Sequence, residues 1–279
     1  MIDLHLHTTA SDGACTPTTL VERAWRAGLR TIAVTDHDTT GGLAAAARAA
    51  AARGLRLVTG IEVTSVVAGR DVHLLAYFFD PDHPLLVRFL EAQRADRVNR
   101  AREIGKRLAA LGKTVDLAPL LSRAEREPGF SVGRPSIAQA LVDAGHVSDR
   151  NAAFDAWLGD GQPAYVPRAG ASPAEVAAIV RAAGGIVSLA HPVLLRDQDA
   201  VPAIARDLDA IEVYHSEHHP ADVARYSAIA RALGLPVSGG SDFHGETRGT
   251  RAVLGLVTLP ASEFDQLAAR VPGRPGNPR

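Results

Sequence analysis

Short apolar runs rich in β-branched residues recur along the chain, and each carries or precedes a histidine or an acid. Alanine-rich stretches separate most of them, which is typical of strands that alternate with helices in a mostly parallel sheet. Functional side chains in such barrels gather at the carboxyl ends of the strands. The pattern therefore predicts an α/β barrel with one shared mouth. The runs are Ile2–Leu6, Thr31–Thr35, Arg56–Ile61, Val72–Phe78, Ile186–Ala190, Ile211–Tyr214 and Val237–Gly240.

One interval between runs is too short for a parallel connection. Only the segment Val63–Val72 separates Glu62 from His73, whereas a parallel crossover needs about a dozen residues or more. A hairpin is the expected link, so we expect an irregular barrel.

The middle of the chain has a different pattern. Residues 84–162 show helical spacing of apolar positions and dense arginine, without strand-like runs that end in ligand residues. We interpret them as a helical insertion that caps the mouth of a barrel formed by residues 1–83 and 163–270. The tail, Val271–Arg279, is rich in proline and glycine and is expected to be disordered.

Composition and charge exclude several classes of function. A net charge of −1 argues against a protein that coats nucleic acid, but it does not exclude the binding of a few phosphates at one site. The single cysteine, Cys15, excludes an intrachain disulfide framework and any multi-cysteine zinc site. The sequence shows no signal-peptide pattern and no apolar run of membrane-spanning length, so a cytoplasmic protein without a membrane partner is expected. The oligomeric state stays open.

Several motifs place metal-ligand residue types close together. In His5-Leu6-His7 the two imidazoles alternate along a strand and share one face, and Asp242-Phe243-His244 repeats this arrangement. Each candidate alone has a structural alternative: a carboxylate of Asp36-His37-Asp38 can cap a helix, Glu62 can be a solvated strand residue, His73 a core histidine and His191-Pro192 a turn. Their shared position at strand ends favours a metal centre.

Taken as one set, these residues resemble the polymerase and histidinol phosphatase (PHP) family of metal-dependent phosphoesterases. The resemblance implies an irregular seven-stranded (β/α)7 barrel with a two- or three-metal centre. It rests on His5-Leu6-His7, Ser11-Asp12-Gly13, Thr35-Asp36-His37-Asp38, Gly60-Ile61-Glu62, His73, Ala190-His191-Pro192 and Ser241-Asp242-Phe243-His244.

The resemblance also implies an assignment of the ligands. His5, His7, Glu62 and Asp242 would hold the first ion. Glu62 would bridge to a second ion with His73 and His191, and Asp12, His37 and His244 would hold a third. Many relatives have histidine in place of Asp12, which also suits an Asp-Gly turn. Glu62, His191 and Asp242 are the residues assigned to catalysis.

Mixed imidazole and carboxylate ligands suit Mn²⁺, our first choice, or Zn²⁺ and Fe²⁺, better than Ca²⁺. In such a centre a hydroxide that bridges the ions attacks phosphorus. Arg134 and Ser136 open a predicted helix whose start suits an anion, and Arg196 follows the His191 strand. His215, His218 and His219 follow another strand end. We expect substrate contacts from Arg134, Ser136, Arg196, His215 and His218.

Within this family the sequence is most similar to bacterial nucleoside 3′,5′-bisphosphate phosphatases and 5′–3′ exoribonucleases. This similarity implies a small phosphorylated nucleotide or the 5′ end of short single-stranded RNA as substrate, and no stable binding of duplex nucleic acid. A histidinol-phosphate phosphatase, or another small-molecule phosphatase, is a second interpretation. A non-catalytic structural module, as found in DNA polymerases, is an alternative from another functional class.

Overall fold

The computed structural model describes residues 1–245 and 253–273. Most of the tail that we predict to be disordered, residues 274–279, lies outside the described residues. Val271, at the start of that tail, is buried against the main core.

The described strands form a single seven-stranded sheet in the order β1 to β7. The sheet wraps into a nearly closed α/β barrel, which confirms the predicted fold class. The strands are β1 (Ile2–Asp3), β2 (Thr31–Val34), β3 (Arg56–Val67), β4 (Arg70–Tyr77), β5 (Ile186–Leu189), β6 (Ala210–Tyr214) and β7 (Val237–Gly239).

The predicted hairpin is present between β3 and β4. The two strands pair antiparallel along their length, with Thr64 opposite His73. Ala68 and Gly69 make the turn at φ values of 49° and 75°, a left-handed conformation that favours glycine at the second position. Strand β4 also pairs antiparallel with β5, whereas the remaining neighbours are parallel. The hairpin is thus what makes the barrel irregular.

The two ends of the sheet meet where β1 and β7 run side by side. A parallel bridge joins Leu6 to Phe243, and the Leu4 N–H donates to the Gly239 carbonyl over 3.1 Å. The approach requires glycine at the neighbouring position, because a Cβ on Gly240 would lie 2.5 Å from the Cβ of His5. This contact sets the His5 and Asp242 motifs side by side.

Helices cover the outside of the barrel and build the insertion. Amphipathic spacing buries one face of each long barrel helix, for example Leu20, Val21 and Ala24 of the first. The helices are α1 (Pro17–Arg26), α2 (Leu43–Arg53), α3 (Pro84–Ala110), α4 (Ala118–Arg126), α5 (Arg134–Asp143), α6 (Arg150–Ala153), α7 (Pro173–Ala182), α8 (Val201–Ala205), α9 (Pro220–Leu233) and α10 (Ala261–Ala268).

Two separate hydrophobic clusters mark the barrel and the segment between β4 and α7. The long helix α3 contributes to both: Leu86 and Leu90 pack into the barrel cluster, whereas Ile104 and Leu108 pack into the second. The second cluster continues through α5 and ends near Ala164. Helix α3 therefore fixes the insertion to the barrel. Among the described helices, none has the length and apolar character needed to cross a bilayer.

Candidate metal centre

Histidines and carboxylates from separate strand ends converge inside the barrel mouth. Parallel strands that end on one side place their following residues together, which is why residues so distant in sequence meet. All the predicted metal ligands belong to this cluster, namely His5, His7, Asp12, His37, Glu62, His73, His191, Asp242 and His244.

Glu62 lies at the centre of the cluster and is buried. Its Oε2 lies 3.2 Å from the Nε2 of His7 and 3.1 Å from the Nδ1 of His37. Its Oε1 lies 2.8 Å from the Nδ1 of His73 and 2.9 Å from the Nε2 of His191. The two oxygens thus face different sets of imidazoles, as a carboxylate shared between two ions requires.

The ligand atoms fall into compact groups. One group joins His5 and His7 with Glu62 and Asp242, and its ligand atoms lie within 4.8 Å of one another. A second group joins His37 and His73 with Glu62, and a third contains His7, Asp12, His37 and His244.

The chemistry of the donors fits divalent cations. In the described part of the chain, both ring nitrogens of His7, the Nδ1 of His37 and the Nε2 of His244 are buried without a well-aligned hydrogen bond. Buried polar nitrogens are normally paired, so lone pairs that converge on carboxylates suit a cation between them.

Electrostatic coupling keeps the carboxylates ionised. Burial opposes ionisation of Glu62, yet the surrounding imidazoles hold its pKa well below the usual range, and the same holds for Asp242. Burial likewise opposes charge on His7, but Asp242 and Glu62 raise its pKa to about 10. At His37 burial prevails and lowers the pKa to about 3. The cluster thus gathers ionised carboxylates and imidazole rings, the two kinds of side chain that bind divalent metals without thiolate.

Two acids of the Asp36-His37-Asp38 motif support the cluster. Asp36 accepts hydrogen bonds from the Thr8 amide at 2.7 Å and from the Ser11 hydroxyl at 2.7 Å, which orders the loop that carries Asp12. Asp38 accepts a hydrogen bond from the Arg97 guanidinium at 2.6 Å.

Asp242, itself a candidate ligand, has a left-handed φ of 54°, a conformation that non-glycine residues seldom adopt outside constrained sites.

A cavity of about 710 Å³ extends from the cluster to the insertion. Guanidinium groups line its wall, contributed by Arg97, Arg100, Arg134 and Arg168. Arg100 and Arg134 share one acceptor, the Oδ2 of Asp71, at 3.0 and 3.1 Å. Cationic side chains and the metal-ligand cluster therefore occupy one continuous space.

The other predicted substrate contacts lie apart from this cavity. Ser136 lines a second cavity, between α4 and α5, because residues two apart on a helix point in different directions. Arg196 is exposed and does not line the main cavity. His215 and His218 pack behind Asp242, with the His215 Nε2 at 3.6 Å from the Asp242 Oδ2.

Sequence reasoning missed Arg100 and Glu212. Arg100 was one of many arginines on the predicted helix, and its contact with Asp71 is long-range. Glu212 lies inside the apolar run of β6 and is fully buried. An acid within an otherwise apolar strand is the signal that could have revealed it.

Comparisons with known proteins show the family to which the chain belongs. A family model described as the PHP domain matches residues 3–130. A 3′,5′-nucleoside bisphosphate phosphatase of Chromobacterium violaceum is 36% identical over 267 residues, which cover 93% of this chain and 92% of that protein. A 5′-3′ exoribonuclease of Haemophilus influenzae is 40% identical over 192 residues, 68% of each chain. A solved structure from Bifidobacterium adolescentis, assigned as a metal-dependent phosphoesterase, has a TM-score of 0.87 at 34% identity and covers 99% of this chain and 98% of its own.

Proposed function

The chain belongs to the PHP-domain family and is a metal-dependent hydrolase of phosphoesters, and we propose that it removes the 3′-phosphate from nucleoside 3′,5′-bisphosphates. Short RNA with a 5′-phosphate is the second proposed substrate. The similarity to the phosphatase of Chromobacterium violaceum and the exoribonuclease of Haemophilus influenzae supports both. A cytoplasmic location stays a prediction from the sequence.

One observation carries the proposal: the ligand cluster and paired arginines line the same cavity. A bisphosphorylated nucleoside needs one position for the reacting phosphate and another for the phosphate that stays. The volume of about 710 Å³ lies within the usual range for small-molecule sites. A substrate with two phosphates matches the two positions.

The residues assigned to metal binding follow the groups described above. His5, His7, Glu62 and Asp242 would hold one ion, Glu62 with His73 and His191 a second, and Asp12, His37 and His244 a third. Mn²⁺ is the proposed metal, since the ligands are imidazoles and carboxylates without thiolate. Such ions supply Lewis-acid chemistry, which activates water and neutralises charge on phosphoryl oxygens.

Arg134 and Arg100 are assigned to the phosphate that does not react. Both guanidinium groups already share Asp71, and the Arg134 Nη1 lies 3.3 Å from the Asp160 Oδ1. These contacts hold the arginines against the cavity wall, which reduces the entropy lost when a phosphate binds. Planar guanidinium groups suit phosphate oxygens, and held arginines set the distance between the two phosphates of the substrate.

The insertion is assigned to substrate selection. Gln139, Asn151 and Phe154 belong to it and line the cavity opposite the barrel ligands. A wall across the barrel mouth admits a mononucleotide or a single strand but obstructs a duplex. We therefore propose that the protein does not bind duplex nucleic acid stably.

The test is phosphate release from a panel of nucleoside 3′,5′-bisphosphates, nucleoside monophosphates, histidinol phosphate and short oligoribonucleotides with a 5′-phosphate. We expect the highest kcat/KM for a 3′,5′-bisphosphate, with the nucleoside 5′-monophosphate as product. A preference for histidinol phosphate, or release of the 5′-phosphate, would contradict the proposal.

A further inference from the structure

Glu212 is a carboxylate at the metal centre that is separate from the assigned ligands. It projects from β6 into the barrel and has no exposed surface. Its Oε1 lies 3.0 Å from the Nδ1 of His5, and its Oε2 accepts the backbone N–H of His191 at 2.6 Å. One side chain on β6 therefore contacts the residues that follow β1 and β5.

The contact with His5 determines which ring nitrogen carries a proton. The Glu212 Oε2 accepts the His191 N–H, and the Oε1 of the same carboxylate has no hydrogen to donate, so it accepts as well. The His5 Nδ1 is then the donor, and in the neutral ring this leaves the Nε2 lone pair to bind a metal. That Nε2 lies 3.3 Å from both Glu62 Oε2 and Asp242 Oδ1, on the side where the first ion would sit.

The contact with His191 acts on the backbone. His191, which precedes Pro192, has a φ of 25°. Non-glycine residues rarely adopt this backbone conformation. A short hydrogen bond from its N–H to a buried carboxylate offsets the cost of that conformation. With the backbone held there, the His191 Nε2 reaches the Glu62 Oε1 at 2.9 Å.

Glu212 is poorly suited to ligate an ion with His5 and His215, although these groups lie close together. Both carboxylate oxygens already accept hydrogen bonds, and the His5 Nδ1 points its hydrogen at Glu212. The His215 Nδ1 accepts the Glu217 N–H at 3.1 Å, so in the neutral ring the Nε2 carries the hydrogen. This group offers hydrogen bonds and no pair of free imidazole lone pairs.

We propose that Glu212 is a positioning residue for the metal centre: it fixes the His5 tautomer and the His191 backbone with one carboxylate, and thereby raises the affinity for the ions shared with Glu62. The inference rests on the metal ligands proposed above.

Two complementary variants test this role. Glu212→Gln keeps the length of the side chain, but its amide cannot accept hydrogen bonds from both partners. Glu212→Asp keeps the charge but is one methylene shorter, so it cannot reach both partners. The measurement is the dissociation constant for Mn²⁺ and for Zn²⁺ of the metal-stripped proteins, by competition with a chelator, after circular dichroism has shown that each variant is folded. We consider the ion that the parent protein binds most weakly. Its dissociation constant should rise about ten- to a hundredfold in both variants.

Asp3→Asn is the matched control, because Asp3 is also fully buried and accepts the His5 backbone N–H at 3.2 Å without contacting the ring. Asn retains an oxygen for that bond, so we expect a loss of less than about threefold, in line with an intact imidazole geometry. A double variant with His5→Ala gives a second readout, in which Glu212→Gln should cost less than in the parent. Parent-like affinity in either folded Glu212 variant, or an equal loss in Asp3→Asn, would overturn the proposal. If the parent itself bound no metal, the proposed metal centre would fail instead.

Discussion

Arg97 donates a 2.6 Å hydrogen bond to Asp38 and joins the helix of the insertion to the loop that carries His37. The same guanidinium reaches Thr64 on β3 at 2.8 Å and the carbonyl of Val132 at 3.2 Å. The side chains of Arg97 and Asp38 are 11% and 0% exposed, so both are largely shielded from solvent. One arginine thus couples the insertion, the hairpin and the metal-binding loop.

Arg97→Ala should destabilise the fold strongly. It leaves the buried carboxylate of Asp38 with the Thr64 N–H at 2.8 Å and a longer contact to the Arg168 guanidinium at 3.6 Å, so the close ionic partner is lost. Breaking a buried ion pair costs about 3 kcal/mol or more in the free energy of unfolding. Urea unfolding of the metal-free proteins measures the loss. Arg102→Ala is the control, because its pair with Glu125 is exposed and should contribute about 1 kcal/mol or less. Equal losses in the two variants would contradict the coupling role.

Glu62→Gln should reduce turnover more than His244→Ala. Glu62 contacts both sets of imidazoles, whereas His244 contacts the carboxylates of Asp12 and Asp242 and is assigned to the third ion alone. Because metal polarisation of the reacting phosphate contributes several kcal/mol, the difference in kcat should be on the order of tenfold or more. Metal content is measured for each variant before the assay. Parent-like turnover in fully metallated Glu62→Gln would contradict a shared bridging ligand.

The loss of kcat/KM in Arg134→Ala should depend on the number of phosphates that the substrate carries. Removing one charge-assisted contact to the phosphate that does not react costs about 1.5–3 kcal/mol, or tenfold to a hundredfold in kcat/KM for a bisphosphonucleoside. An ester with a single phosphate should be nearly unaffected. Equal losses on the two substrates would reject this role, and no loss on either would assign Arg134 to its contacts with Asp71 and Asp160 alone.

The insertion should exclude duplexes. Insertion side chains line the cavity together with Glu62 and His73, so we expect them to obstruct a duplex before its phosphates reach the ligands. Internal cleavage of double-stranded RNA should therefore be undetectable under conditions in which a bisphosphonucleoside is turned over. Gel analysis of a labelled duplex, with the corresponding single strand as control, provides the measurement. Duplex cleavage at the rate of the single strand would show that the insertion does not restrict access.

The clustering of the histidines could be predicted from the sequence, because it follows from local strand periodicity and from the meeting of strand ends in a barrel. Alternation along a strand puts His5 and His7 on one face, and a parallel barrel places strand ends together. The short link between Glu62 and His73 likewise requires a hairpin, which the structure confirms. These features need only periodicity and chain length.

Contacts between distant segments could not be predicted in this way. Pairing of Arg134 with Asp71 depends on where the insertion docks, and nothing local in either segment specifies it. Ser136 was expected beside Arg134, but two residues span about 200° around a helix, so Ser136 points elsewhere. Glu212 looked like part of an apolar strand, and only the structure shows that both its oxygens hold parts of the metal centre.

Phosphate release from a nucleoside 3′,5′-bisphosphate, measured before and after metal removal, shows directly whether the protein is a metal-dependent bisphosphate phosphatase. We expect the stripped protein to be inactive, and we expect added Mn²⁺ to restore activity in proportion to the metal bound. The product should be the nucleoside 5′-monophosphate. Undiminished activity in protein shown to be metal-free, or no hydrolysis of the bisphosphate by fully metallated protein, would contradict this function.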